Sequence, residues 1–328
     1  MEVEEEFRIL QGNISKHLTT GRKNIIFQEG IISPEVMKYM FGDFVEDVTR
    51  SRVTVSEMSH FIHINESVFI NTLQHAGPNE VLVHGYSCRQ IERIDMTGKL
   101  NKEIKLQTDC EDFILIDNDV IYSHFRDMAI RYLPSTGSVS DIYSTAPHFP
   151  VGINTSRDGN ILVTLCGCSD RNITSESRGH IIQINTSGGL IRKYGYTDCH
   201  SDKVLTWPLT VAQNINLDIC IIDRLDKDCR SRLVVITISS QVKFIYTGQS
   251  SLREMFVAFD VSCDHRGRIL VTDLHNHAIH LLNADGHFIQ YVLSNQSPLL
   301  WPTSLALDRK TLWVGCREGV IRVYNYSD

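Results

Sequence analysis

The most constraining feature of this chain is a short segment that returns four times with the same internal spacing. Gln90–Gly98 (QIERIDMTG), Ala129–Gly137 (AIRYLPSTG), His180–Gly188 (HIIQINTSG) and Ala278–Gly286 (AIHLLNADG) each carry an Ile, then Ile or Leu three residues on and Gly seven residues on. A short apolar run lies upstream of each: VLV at 81–83, VIY at 120–122, ILV at 161–163 and ILV at 269–271. ICII at 219–222 and LWV at 312–314 add two more such runs. A third element precedes these runs. Phe149-Pro150, Trp207-Pro208 and Trp301-Pro302 each open an apolar segment, and Phe256 takes the matching place in MFVAFD (255–260) without a proline. Pro208 to Phe256 is 48 residues and Phe256 to Pro302 is 46.

A period in the forties, built of several short strands with a turn glycine in each unit, is the pattern of a β-propeller. The middle strands of a blade pack against neighbouring blades on both faces, so they read as unbroken apolar runs rather than alternating ones. The glycine after each third strand supplies a backbone conformation that a Cβ disfavours. The sequence therefore predicts an all-β, six-bladed propeller whose first strands begin near Val68, Phe113, Pro150, Pro208, Phe256 and Pro302. The chain ends on the third strand of the sixth unit, IRVYNYSD, so RVTVSEM (52–58) is expected to supply that blade's outer strand and leave no long open edge. The expected domains are residues 1–48, an extension with one short helix, and residues 49–328, the propeller. Ser33 would cap that helix, Pro34 suits its first turn and Gly42 would end it.

The stretch Arg268–Gly286 carries Asp273, His275, His277 and His280 close together. In the repeat frame Asp273 closes the second strand, His275 to His277 lie in a turn, and His280 sits within the third strand. Asp and Asn favour such turns because they hydrogen-bond their own backbone. Asp223 takes the place of Asp273 in the preceding unit with no histidines after it. The expectation is a turn, not a metal site. The same expectation covers Cys166-Gly-Cys168 and Cys199-His200, whose spacing is too sparse for zinc. No metal and no cofactor are expected.

Asp273, Asn276, His277 and Ile279 resemble the NHL repeat, and the aromatic-Pro strand, the apolar run and the I-x-x-L-x-x-x-G tail follow in that repeat's order. The likeness is specific in unit five and weak in units one and two. The chain is similar to the C-terminal propellers of invertebrate tripartite-motif proteins. That resemblance implies substrate recognition for a ubiquitin ligase whose RING, B-box and coiled-coil modules have no counterpart in this sequence.

Basic residues number 32 and acidic residues 39, a net charge of -7 that argues against indiscriminate attraction to nucleic-acid phosphate. No apolar run approaches the roughly 20 residues that span a bilayer, and the acidic start MEVEEEF lacks secretory-signal character, so a cytoplasmic protein is expected. Nine cysteines in no regular framework fit reduced thiols there, and Cys220 in DICIID reads as a small buried hydrophobe. No G-x-S-x-G elbow or G-x-x-x-x-G-K-[ST] loop is present. A metal-dependent lactonase or esterase on such a ring needs Glu, Asn and Asp on the innermost strands. Asn154, Asn214, Asp260 and Asp308 lie at the ends of those strands, where a turn role is expected, and a Glu partner is missing. Single-stranded RNA binding needs basic surface among stacking aromatics, and the richest basic loop, 223–232, is diluted by three acids. The expectation is a non-enzyme that binds a protein partner, with RNA as the alternative and neither DNA nor membrane as a partner. Phe149, Trp207, Phe256 and Trp301 are the candidate partner-binding residues, as an aromatic ring at the channel mouth if they are exposed.

Overall fold

The computed structural model describes residues 52–62, 69–86, 88–168, 173–174, 176–195, 204–250, 254–294 and 299–327. The helix expected over 33–42, part of the loop from 168 to 180, and Cys199-His200 fall outside the described residues. The described residues form twenty-four strands, β1 (Thr54–Ile62) to β24 (Val320–Ser327), and no helix. They assemble into six antiparallel sheets of four strands each, which is the expected six-bladed propeller.

Five blades are continuous in sequence and the sixth is shared between the two ends of the described chain. There, β1 lies against β24, with Thr54 opposite Ser327 and Ile62 opposite Val320. The expected closing segment, 52–58, thus extends four residues further along the strand, to Ile62. Arg322 fastens this seam by donating from Nη1 to Glu57 Oε1 at 2.6 Å.

Burial follows strand position within each blade. Second strands are sealed throughout, as in Ile161–Cys166 and Ile269–Asp273, whereas the outer strand Leu100–Lys105 is almost wholly exposed. The core accordingly divides into six clusters, one at each seam between blades, and a seventh in which Phe125, Val151, Cys166 and Trp207 meet. A sheet buried on both faces has no polar face to alternate with, which is why the apolar runs were legible.

The turn glycines act as the repeat predicts. Gly188 has φ +84, and a Cβ there would come within 1.9 Å of the Ile142 carbonyl oxygen of the preceding blade. Glycine is required twice over, for its backbone angle and for close approach between blades.

The inner strands are bulged near their starts, between Ile70 and Thr72, Pro150 and Ile153, Pro208 and Thr210, and Pro302 and Ser304. A bulge frees ladder N–H groups, and hydroxyls on the second strands take them up. Thr164 Oγ1 accepts from the Gly152 N–H at 2.7 Å, and in blade five, whose inner strand pairs without a register shift, Thr272 Oγ1 accepts from the Asp260 N–H just before the strand at 2.9 Å.

Candidate functional site: the central channel

The six inner strands enclose a cavity of about 480 Å³. Its wall is graded. Phe69, Tyr86 and Phe259 meet where the strands enter, with Phe69 at 5.4 Å from Phe259 and 6.5 Å from Tyr86 between ring centroids. Trp207 and Arg224 join the same wall, the guanidinium carbon 5.9 Å from the indole centre, within cation–π range. Gln74, Asn154 and Gln213 line the wall further along the strands.

Between the two ends lies a layer defined by strand register. Each residue just before the inner-strand position that pairs with the third residue of the second-strand apolar run belongs to it. Those residues are Thr72, Asp112, Gly152, Thr210, Asp260 and Ser304. The order is Thr-Asp-small, then Thr-Asp-small again. Blades two and five are three apart in a ring of six, so Asp112 and Asp260 oppose each other across the axis.

The two carboxylates also have matching partners. Asp112 accepts from the Thr72 hydroxyl at 2.8 Å in the blade before and from the Ile153 N–H at 2.9 Å in the blade after. Asp260 accepts from the Leu305 N–H at 2.7 Å in the blade after and, at a longer 3.4 Å, from the Thr210 hydroxyl in the blade before. Each acid therefore ties three blades together. Burial in the channel wall pushes the Asp112 carboxyl up to about 6, against the pull of its hydrogen bonds. Burial pushes Asp260 up to about 7, and the charge of Asp112 adds to the effect. Groups that change charge near neutrality inside a cavity are a recognised mark of functional sites.

Asp260 was expected to be a turn residue. The register corrects this: it stands immediately before the inner strand Val261–Cys263 and lines the cavity, as does Asn154 on its own inner strand, whose Nδ2 donates to the Val211 carbonyl at 2.8 Å. Asn214 and Asp308 do serve turns. Asn214 Oδ1 takes the N–H groups of Asn216 and Asp218, both at 2.9 Å, and Asp308 Oδ1 takes those of Lys310 and Thr311. Asp112 escaped the sequence reading altogether, as did Phe69, Tyr86 and Phe259. Unit two has no aromatic-Pro pair to fix its frame, so Asp112 could not be aligned with Asp260 from sequence.

The four slot aromatics do not form one exposed ring, because they pack between blades. Trp207 and Phe256 are 2% and 6% exposed. Phe149 stacks on Phe125 at 4.7 Å, and Trp301 meets the edge of His277 at 5.4 Å while its N–H donates to His277 Nδ1. Of the four, only Trp207 reaches the cavity wall.

The histidine stretch does less at the channel than its composition promised. Asp273 Oδ1 takes the Val257 N–H at 3.3 Å and its Oδ2 takes Asn276 Nδ2 at 2.8 Å, so the carboxylate anchors the entry of its own inner strand. Asp223 does the same in blade four, accepting from Thr206 and Trp207 N–H groups at 2.8 Å each and pairing with Arg232. His280 is fully buried; its Nδ1 lies 2.8 Å from the Tyr246 hydroxyl and its Nε2 lies 3.4 Å from Asp273 Oδ2. Asp273 and His280 thus do approach each other, which strand alternation had not suggested. Among the described residues no group of three or more His, Cys, Asp or Glu side chains is placed to hold a metal ion.

No family model matches the chain, and no curated protein matches it. Solved structures do. The class they define is the six-bladed propeller. A virginiamycin B lyase from Staphylococcus aureus is similar at 12% identity and a TM-score of 0.55, covering 84% of this chain and 99% of its own. A putative gluconolactonase is similar at 12% identity and a TM-score of 0.59, covering 87% and 96%. The propeller domain of Myceliophteria thermophila Cps50 (Swd1) is similar at 12% identity and a TM-score of 0.53, covering 78% and 83%. These likenesses show the fold. They also correct the expectation of a non-enzyme: two of the three neighbours are named for enzymatic activities, so lacking a familiar nucleophile motif does not set this ring apart from catalysts.

Proposed function

We propose that this propeller is a recognition scaffold that takes a segment of a partner protein at the aromatic mouth of its channel. The segment would lay an apolar side chain against Phe69, Tyr86 and Phe259 and direct a cationic or hydrogen-bond-donating side chain toward Asp112 and Asp260. The observation that supports this is the stacking of an aromatic mouth above two opposed carboxyls. Lys and Arg side chains suit that gradient, having an apolar stem and a charged tip. An acid-lined channel disfavours nucleic-acid phosphate, which argues for protein over RNA. The NHL and tripartite-motif resemblance gives the kind of assembly such a scaffold would serve, namely substrate selection for a ubiquitin ligase.

The test is selection of a displayed random peptide library on the immobilised propeller. Enrichment of Lys- or Arg-bearing peptides flanked by apolar residues, lost in Phe259→Ala and in Asp260→Asn, supports the reading. Enrichment of acidic peptides, or binding unaltered in both variants, overturns it.

A second reading is favoured by the paired carboxyls themselves. With values of about 6 and about 7, they allow one to stay protonated while the other is ionised near neutral pH, as acid–base catalysis requires. Turnover in a panel of simple lactones and esters, lost in Asp112→Asn and Asp260→Asn, is the measurement for it.

A further inference from the structure

Two thiols meet across the seam between blades four and five. Cys220 belongs to the second strand of blade four, Ile219–Arg224, and is fully buried. Cys263 ends the inner strand of blade five, Val261–Cys263, is half-buried, and lines the central cavity. Their Sγ atoms are 3.8 Å apart, and both cysteines are reduced. A solute that enters the channel therefore meets Cys263 first, with Cys220 directly behind it.

The two environments divide the chemistry. Contact with the Cys263 sulfur, together with burial, holds the Cys220 thiol well above its ordinary range. Cys220 is thus poor as a first nucleophile but correctly placed to attack an oxidised neighbour. To bond, the sulfurs need to close from 3.8 Å to about 2.0 Å across the seam.

We propose that Cys263 and Cys220 form a peroxide-responsive dithiol that closes into a reversible disulfide between blades four and five. In the first step the Cys263 thiolate attacks a peroxide oxygen. An S–O bond forms, the O–O bond breaks, and the departing hydroxide takes a proton and leaves as water. In the second step Cys220 attacks the Cys263 sulfur and its proton passes to the departing hydroxyl. An S–S bond forms, the S–OH bond breaks, and a second water leaves. Two thiols lose two electrons and one peroxide becomes two waters, so the sequence balances. It stops at the first reversible rungs of thiol oxidation because the resolving sulfur is already in contact. The disulfide would clasp residues 43 apart in sequence and stiffen the channel wall where Cys263 stands.

The full chain, reduced and then exposed to hydrogen peroxide, is quenched with N-ethylmaleimide and digested without reductant for mass spectrometry. The expected result is a cross-linked peptide joining Cys220 to Cys263, two hydrogens lighter than the reduced pair and reversed by dithiothreitol. Cys220→Ser should instead leave Cys263 as a sulfenic acid trapped by dimedone, and Cys263→Ser should leave Cys220 unmodified. The wild-type cross-link should vanish when oxidation is run in urea, which ties it to the folded ring and frees the test from any folding defect of the variants. Oxidation of Cys263 to the sulfinic acid without cross-linking, or cross-links joining either residue to other cysteines instead, overturns the proposal.

Discussion

Blade five holds two aspartates thirteen positions apart, and they have exchanged the roles that their sequence surroundings advertise. Asp273 stands among three histidines, in the stretch most like a reactive site. It is fully buried and holds the turn that starts its own blade. Asp260 stands in the mostly apolar run FVAFDVS, without the cluster of histidines that surrounds Asp273, and it lines the channel. The difference is one of direction. Asp273 ends a second strand and accepts the Val257 N–H at the strand entry, whereas Asp260 stands immediately before the inner strand Val261–Cys263 and lines the channel. Local density of chemical groups thus says less about a site in this ring than the strand a residue occupies and its phase on that strand.

The largest effect expected from breaking this comparison is at the anchors. Asp223→Ala leaves Arg232 and two N–H groups of the Trp207 turn without their acceptor, and breaking such a buried pair costs about 3–5 kcal/mol. A urea denaturation midpoint close to that of the wild type would show that these aspartates are not anchors. His280→Ala should cost about 2–3 kcal/mol, since it removes a buried ring that contacts Tyr246, Phe256 and Tyr291. The same denaturation series measures it, and a loss below about 0.5 kcal/mol would place His280 with dispensable surface groups.

The channel acids should show themselves through pH. Their folded-state values lie above those of an unfolded aspartate, so the folded protein holds extra protons between about pH 4 and pH 7. Stability should therefore fall as pH rises through that window, by at most about 1.4 kcal/mol per pH unit for each group. Asp112→Asn and Asp260→Asn should each flatten the slope. A stability that instead rises from pH 5 to 7, and does so equally in the variants, would place both carboxyls outside the dry wall. The smallest effect is expected at His275, which is exposed in the turn after Asp273. His275→Ala should change stability by less than about 0.5 kcal/mol in the same denaturation assay.

Much of the architecture was legible. The apolar runs sit in strands buried on both faces, where no polar face exists to interrupt them. Gly188 and Gly286 sit where a Cβ would strike the adjoining blade. The site was far less so. Trp207, Phe256, Phe149 and Trp301 were recognised as one recurring slot, but recurrence does not distinguish a side chain wedged between blades from one presented to a partner. Asp260 was noticed and set aside as a turn residue, and Asp112 went unnoticed. Neither can be phased without knowing the register in which its inner strand pairs with the second strand.

The sequence by itself determined the number of blades, the order of strands within each and the turns that require glycine. These depend on short-range spacing and on burial that repeats from unit to unit. Only the tertiary structure decided which side chains face the axis and which residues distant in sequence meet there. Asp112 and Asp260 are 148 positions apart and Cys220 and Cys263 are 43 apart. Their proximity follows from closing six twisted sheets into a ring. That closure places every inner strand beside one shared space, a relation no local pattern encodes.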